Sequence, residues 1–127
     1  MTYLIDTQVL IWVLEGNNRL SPKVERLFTN SNNTLWVSIA SLWEIAIKIS
    51  INKLNLTRPL SEIIRRLPEM DIAILSIEPQ HILEVEKLPL LHRDPFDRII
   101  IAQAIAENFE ILSSDEQFSS YPIVVHW

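Results

Sequence analysis

The chain is 127 residues long, 48% hydrophobic and 21% charged, with net charge −5, one glycine, seven prolines and no cysteine. Length and composition fit a single domain over residues 1–127 whose core needs no disulfide or structural metal, and zero cysteine excludes thiol nucleophiles, thiolate zinc sites and iron–sulfur clusters. One glycine is too few for a phosphate-cradling loop or a G-x-S-x-G elbow, and His81, His92 and His126 form no H-E-x-x-H pattern. The cytoplasm is the expected compartment: the Met1–Asp6 start lacks a basic leader region, and no apolar run approaches the ~20 residues of a membrane span.

In chain order, residues 3–5 form a short apolar strand that ends at Asp6-Thr7. Val9, Leu10, Trp12, Val13 and Leu14 continue as a helix that Gly16 stops. Ser21 caps a second helix with Pro22 at its first position, running to about residue 29. A strand at 35–37 leads into a helix over 39–50 capped by Ser38, with an apolar stripe of Ile39, Leu42, Trp43, Ala46 and Ile49. A short helix at 60–67 is ended by Pro68, and 72–77 reads as a strand rich in β-branched residues. Pro79 opens a helix to about residue 87, and 88–92 is loop. Asp94-Pro95 then starts a helix that is apolar nearly all round at 99–102 and 104–106, and therefore buried. A strand at 110–112, a helical turn opened by Ser113 and Ser114, and a last strand at 123–125 complete the chain. Short apolar strands alternating with helices predict an α/β fold with a mostly parallel sheet covered on both faces.

Four carboxylates stand out against this frame. Asp6 and Asp115 follow strands, Asp97 lies in the first turn of the buried helix, and Glu44 sits on the helix after 35–37. In open α/β sheets, strand carboxyl ends and helix N-termini converge on one crevice, which gathers such residues. Taken singly, several have local explanations: Asp6 as a helix cap, Asp94 as a cap with Asp97 at capping-box spacing, Ser113 with Glu116 or Ser114 with Gln117 as a second box, and Glu44 with Lys48 as an i,i+4 surface pair. Glu44 fits its local explanation least, because a helix carrying Ile39, Leu42, Trp43, Ile45, Ile47 and Ile49 leaves little solvent-facing arc. Asp97 has Ile100, Ile101 and Ala104 at i+3, i+4 and i+7, so it faces apolar surroundings. Acids forced together raise one another's pKa unless a cation neutralises them, and an oxygen-only donor set suits Mg²⁺ or Mn²⁺.

Charge is uneven along the chain: residues 1–66 carry eight Lys/Arg against five acids, and residues 67–127 three against eleven. The basic stretch from Lys48 to Arg66 is a candidate for a phosphate backbone. The four tryptophans are read as packing groups.

Leu4-Ile5-Asp6-Thr7, the W-E-I-A-I-K run at Trp43 to Lys48, His92-Arg93-Asp94-Pro95-Phe96-Asp97-Arg98 and Ser113-Ser114-Asp115 together resemble the PIN-domain ribonucleases, specifically VapC-type toxins of type II toxin–antitoxin modules. The resemblance runs in order over essentially the whole chain and implies a three-layer α/β/α sandwich. It also implies that Asp6, Glu44, Asp97 and Asp115 form a catalytic, metal-binding set for Mg²⁺- or Mn²⁺-dependent hydrolysis of RNA, with Thr7, Asp94 and Ser113 as auxiliaries. Gln8 stands where the family commonly has histidine. Lys48, Lys53, Arg65, Arg66, Arg93 and Arg98, together with Arg58 and His92, are the candidates for contact with the RNA backbone. The implied partners are an RNA substrate, a cognate antitoxin and a second copy of the chain, and no membrane. Leu10, Leu14, Leu42 and Trp43 are either core or partner surface.

Two rival readings differ in what they require. A receiver-like phosphoacceptor domain needs a late strand ending in lysine, which is absent. A catalytically inactive PIN-like module that binds RNA or protein would be expected to lack one or more of the four acids, and all are present.

Overall fold

The computed structural model describes residues 1–127. Five strands, β1 (Thr2–Ile5), β2 (Thr34–Ser38), β3 (Ile72–Leu75), β4 (Glu110–Leu112) and β5 (Val125–His126), form one sheet in the order β3-β2-β1-β4-β5. All neighbours are parallel, with Ile5 opposite Val37 and Leu112, Val37 opposite Ile74, and Ile111 opposite Val125. Parallel neighbours require crossovers. These are built from six helices: α1 (Thr7–Leu14), α2 (Pro22–Thr29), α3 (Ile39–Ser50), α4 (Leu60–Arg66), α5 (Pro79–Lys87) and α6 (Pro95–Glu107).

Strand alternation divides the interior in two. Tyr3 and Ile5 of β1 point into one core with Val9, Leu10, Val24, Val37, Leu42 and Ile45, while Leu4 between them points into the other with Ile100, Ile101, Ile111 and Phe118. Helices α1, α2 and α3 supply the first core, and α6 fills the second with six consecutive buried residues, Ile99 to Ala104. The result is the expected three-layer α/β/α arrangement. No helix is long and apolar enough to cross a membrane.

With a single glycine, other residues take the left-handed corners. Gly16 after α1 has φ +62°, while Asn52 after α3, Asp71 before β3 and Asn108 after α6 adopt φ of 59°, 56° and 58°. Asn and Asp are the non-glycine residues that best tolerate this region.

Four local expectations are corrected. The strand expected at 72–77 stops at Leu75. The helix expected over 60–67 ends at Arg66 and tightens into a 3-10 turn, Leu67–Met70, that takes in Pro68. The last strand is Val125–His126 rather than 123–125, because its ladder pairs Val125 with Ile111 and His126 with Leu112. Trp43, read as packing, is 60% exposed and meets Phe96 edge-on at 5.1 Å, whereas Trp12, Trp36 and Trp127 are partly buried in aromatic pairs.

Candidate metal centre

The strand order reverses at β1, from which the chain steps out through β2 to β3 and returns on the other side to β4. The crevice outside the carboxyl ends of strands at such a point is where open α/β sheets place their sites. Asp6 follows β1 and Ser113 follows β4, and the two loops are tied by Asp6 N–H donating to Leu112 O at 3.1 Å.

Three of the acids are held by the element that they begin. Asp6 is the N-cap of α1 and accepts from Val9 N–H at 2.7 Å through Oδ1, while its Oδ2 accepts from the Ser113 hydroxyl. Ser113 Oγ in turn accepts from Asp115 N–H at 3.0 Å, so one hydroxyl joins two of the expected acids. Asp115 is itself the cap of the following 3-10 turn, Glu116–Ser120, accepting from Gln117 N–H at 2.9 Å; this replaces the expected Ser113 or Ser114 box. Asp94 caps α6 as expected, accepting from Phe96 N–H at 2.8 Å and Asp97 N–H at 3.3 Å. The reciprocal half of that box is absent, because Asp97 turns towards His92 instead, Oδ2 lying 2.9 Å from Nε2. Thr7 is buried and donates to Ser41 Oγ at 2.9 Å, which fastens α1 to α3.

Glu44 is not the surface pair that its spacing suggests. It is 6% exposed; its Oε2 lies 3.0 Å from Lys48 Nζ, and its Oε1 is buried without any hydrogen-bond partner. Together, Asp6, Glu44, Asp94, Asp97 and Asp115 line a cleft of about 290 Å³ with Lys48. Burial pushes the Asp6 carboxyl up to about 6, against the opposing hydrogen bonds from Ser113 and Val9, and Asp115 and Glu44 add repulsion. Burial likewise pushes Asp97 up to about 7, reinforced by the negative charges of Asp94, Glu44, Asp6 and Asp115.

The residues fit a hard divalent cation. An orphaned buried carboxylate oxygen and two carboxyls that resist ionisation are what an acidic site shows when the counter-charge is missing. His92, read from the sequence only as a backbone contact, is the site member that was missed. It is 8% exposed, and its Nε2 lies 2.9 Å from Asp97 Oδ2 and 3.8 Å from Asp115 Oδ2. Its Nδ1 accepts from Asp94 N–H at 3.3 Å, which places the ring proton on Nε2, so His92 faces these oxygens as a proton-bearing group rather than as a lone-pair ligand.

The basic candidates scatter. Arg93 is exposed beside the cleft, on the neighbouring surface shared with Trp43 and Phe96. Arg58 and Arg66 line a groove with Leu14 and Glu15 at the far end of α1, about 12 Å along a helix of eight residues. Both pair with Glu62, at 3.5 and 3.8 Å, while Lys53 and Arg65 are exposed. Arg98 has a different task from the expected RNA contact. Its guanidinium donates to the carbonyls of Val85, Leu88, Pro89 and His92 and to the Tyr121 hydroxyl at 3.1–3.4 Å, bracing the loop that carries His92.

A carboxyl whose pKa is higher in the folded chain than in the unfolded one binds extra protons when folded, so its contribution to stability falls as pH rises between the two values. For Asp6 and Asp97 this window runs from the ordinary 3.8 up to about 6 and about 7. The cation-free protein is therefore expected to lose Tm at this site as pH rises from about 4 to about 7, and Mg²⁺ or Mn²⁺ to raise Tm more at the upper end. Thermal scans with and without EDTA, on the wild type and on Asp97→Asn, check this: the variant should show a shallower pH slope, and a Tm indifferent to cation at the upper pH would contradict the assignment.

A family model for the PIN domain matches residues 3–124. Comparison with curated proteins finds no match. Among solved structures, the chain is similar to one in VapBC2 from Rickettsia felis bound to a DNA fragment from its promoter, with TM-score 0.73, 18% identity and coverage of 99% of this chain and 98% of that one. It is similar to a chain of DNA-bound VapBC from Salmonella typhimurium, with TM-score 0.70, 15% identity and coverage of 99% and 97%. It is also similar to one in a toxin–antitoxin complex from Klebsiella pneumoniae, with TM-score 0.66, 20% identity and coverage of 98% and 96%. With acidic strand ends converging on one cleft and a family match spanning nearly the whole sequence, the chain belongs to the PIN-domain family.

Proposed function

We propose that this chain is a divalent-cation-dependent endoribonuclease and the toxin of a type II toxin–antitoxin pair, of the VapC type. The observation that carries the reading is the cleft: five carboxylates around about 290 Å³, one of them with a buried oxygen that no protein group satisfies. Asp6, Glu44, Asp97 and Asp115 would hold Mg²⁺ or Mn²⁺, with Asp94 as the cap beside them. Bound there, the cation would activate water for in-line attack on a phosphodiester and offset charge on the departing sugar oxygen. The chain's own groups set up that chemistry. Ser113 and the Val9 N–H fix both oxygens of Asp6, Thr7 locks α1 against α3, and the braced loop keeps His92 against Asp97. Lys48 and Arg93 flank the cleft, and the exposed Lys53 and Arg65 and the half-buried Arg66 are further contacts proposed for a longer RNA.

Two protein partners belong to the same proposal, supported by the likeness to chains solved in toxin–antitoxin assemblies. The antitoxin segment is assigned, as the resemblance implies, to a groove near the acidic site, and the apolar groove of Val13, Leu14, Ile63 and Met70 at the other end of α1 is a surface onto which it would extend. A second copy is assigned to the apolar face beside the acidic cleft, where Trp43, Ile82 and Leu90 line one patch and are 55–72% exposed.

Cleavage of a mixed structured RNA pool with Mg²⁺ or Mn²⁺, against EDTA, tests the activity. Asp6→Asn and Asp97→Asn, shown to be folded, should each lower the rate by more than about a hundredfold, and wild-type cleavage surviving EDTA would refute cation dependence. Replacing Arg65 and Arg66 with Gln should flatten the salt dependence of RNA binding, each lost phosphate contact reducing the slope by roughly one ion; an unchanged slope removes them from the interface. Ile82→Asp with Leu90→Asp should convert a sedimenting dimer to monomer, and a wild type that is monomeric at working concentration removes the homodimer.

A further inference from the structure

Lys48 supplies the one ammonium group lining a cleft that five carboxylates share. It lies one turn beyond Glu44 on α3, with Nζ 3.0 Å from Oε2. An exposed i,i+4 pair of this kind contributes little, because water screens both partners. This pair is lopsided: the Lys48 side chain is 45% exposed and that of Glu44 8%. The ammonium thus stands at the mouth of the cleft, between a buried charge and solvent, and satisfies one oxygen of Glu44 while the other, Oε1, has no partner. A buried carboxylate left with one partner is held incompletely.

The chemistry of lysine distinguishes it from the arginine nearby. Arg98 has its planar donors divided among five acceptors and cannot leave them without releasing the 85–92 segment. Lysine is a compact charge with three rotatable donors on a flexible stem, able to change partner without disturbing the backbone. Glu44 therefore has a provisional cation that is free to move once a divalent ion takes over the carboxylate. The group that next arrives at the cleft mouth, on the nuclease reading, is a phosphodiester carrying unpaired anionic oxygens.

We propose that Lys48 is a substrate-contacting residue that exchanges partners, holding Glu44 in the empty site and passing to a non-bridging oxygen of the scissile phosphate when a divalent ion occupies the acids. The inference rests on the nuclease reading of the cleft and adds a residue that works in two successive states. It demands effects of opposite sign from one substitution. Lys48→Met removes a competitor for Glu44, so Mn²⁺ should bind the RNA-free protein severalfold more tightly. The same change removes a charge-assisted contact to the substrate, so kcat/KM for RNA should fall by about ten- to a hundredfold. A residue that merely holds Glu44 in place would instead lower Mn²⁺ affinity and cleavage together.

The experiment is calorimetric titration of Mn²⁺ into wild type, Lys48→Met and Lys48→Arg, paired with steady-state cleavage of an RNA pool that the wild type cuts. Lys48→Arg, which keeps the charge, should stay near wild type in Mn²⁺ affinity and recover part of the lost kcat/KM. Tighter Mn²⁺ binding with weaker cleavage in Lys48→Met supports the exchange. Weaker or equal Mn²⁺ binding, or unchanged cleavage, overturns it while leaving the nuclease reading intact. A wild type that neither binds Mn²⁺ nor cuts RNA overturns the nuclease reading itself and the exchange with it.

Discussion

Burial of several carboxylates in one cleft, with the mutual repulsion that follows, is the constraint that the surrounding structure meets. Asp97 feels Asp94, Glu44, Asp6 and Asp115 at once, and burial weakens the water screening that would otherwise separate them. What holds the group together is mostly backbone. Asp6, Asp94 and Asp115 each use Oδ1 to accept N–H groups from the turn that they begin, which leaves the second oxygen of each outside the cap. The N-termini of α1 and α6 add a favourable dipole at the same place.

The sheet order explains why these helix starts meet. Every parallel strand ends on the same edge, and the chain leaves β1 in one direction and returns to β4 beside it. Asp6 and Ser113 consequently belong to adjacent strand ends although they are 107 positions apart in sequence. Glu44 reaches the same cleft from α3, whose Leu42 and Ile45 are anchored in the first core and whose Ala40 is anchored in the second. The acids are therefore set by two packed layers rather than by a mobile loop.

One loop is nevertheless part of the site, and it is stiffened accordingly. Tyr121 Oη accepts from Leu91 and His92 N–H at 3.2 and 2.8 Å and donates to Pro89 O at 3.0 Å, while Arg98 spans the carbonyls on the other side. This brace has two consequences. It fixes His92 against Asp97, and it presents Leu90 to solvent on a rigid support next to Trp43 and Phe96. The acidic cleft and the exposed apolar face are thereby two sides of the start of α6.

The amino-acid sequence by itself determined the local structure: the short apolar strands, the serine, aspartate and proline helix starts, the all-round apolar α6, and the placing of Asp6 and Asp115 after strands. These are legible because periodicities of 2 and 3.6 residues and the capping preferences act within a few positions. The burial of Glu44 was also legible, since its helix has too few polar positions to offer it a solvent face. Tertiary structure alone decided which ends came together. It brought His92 against Asp97 and Asp115, turned Arg98 inward, put Trp43 outside, and left Arg58 and Arg66 at the other end of α1 from the acids. Those outcomes depend on strand order and on the packing of two cores across one sheet, and neither leaves a short-range trace in the residues that it positions.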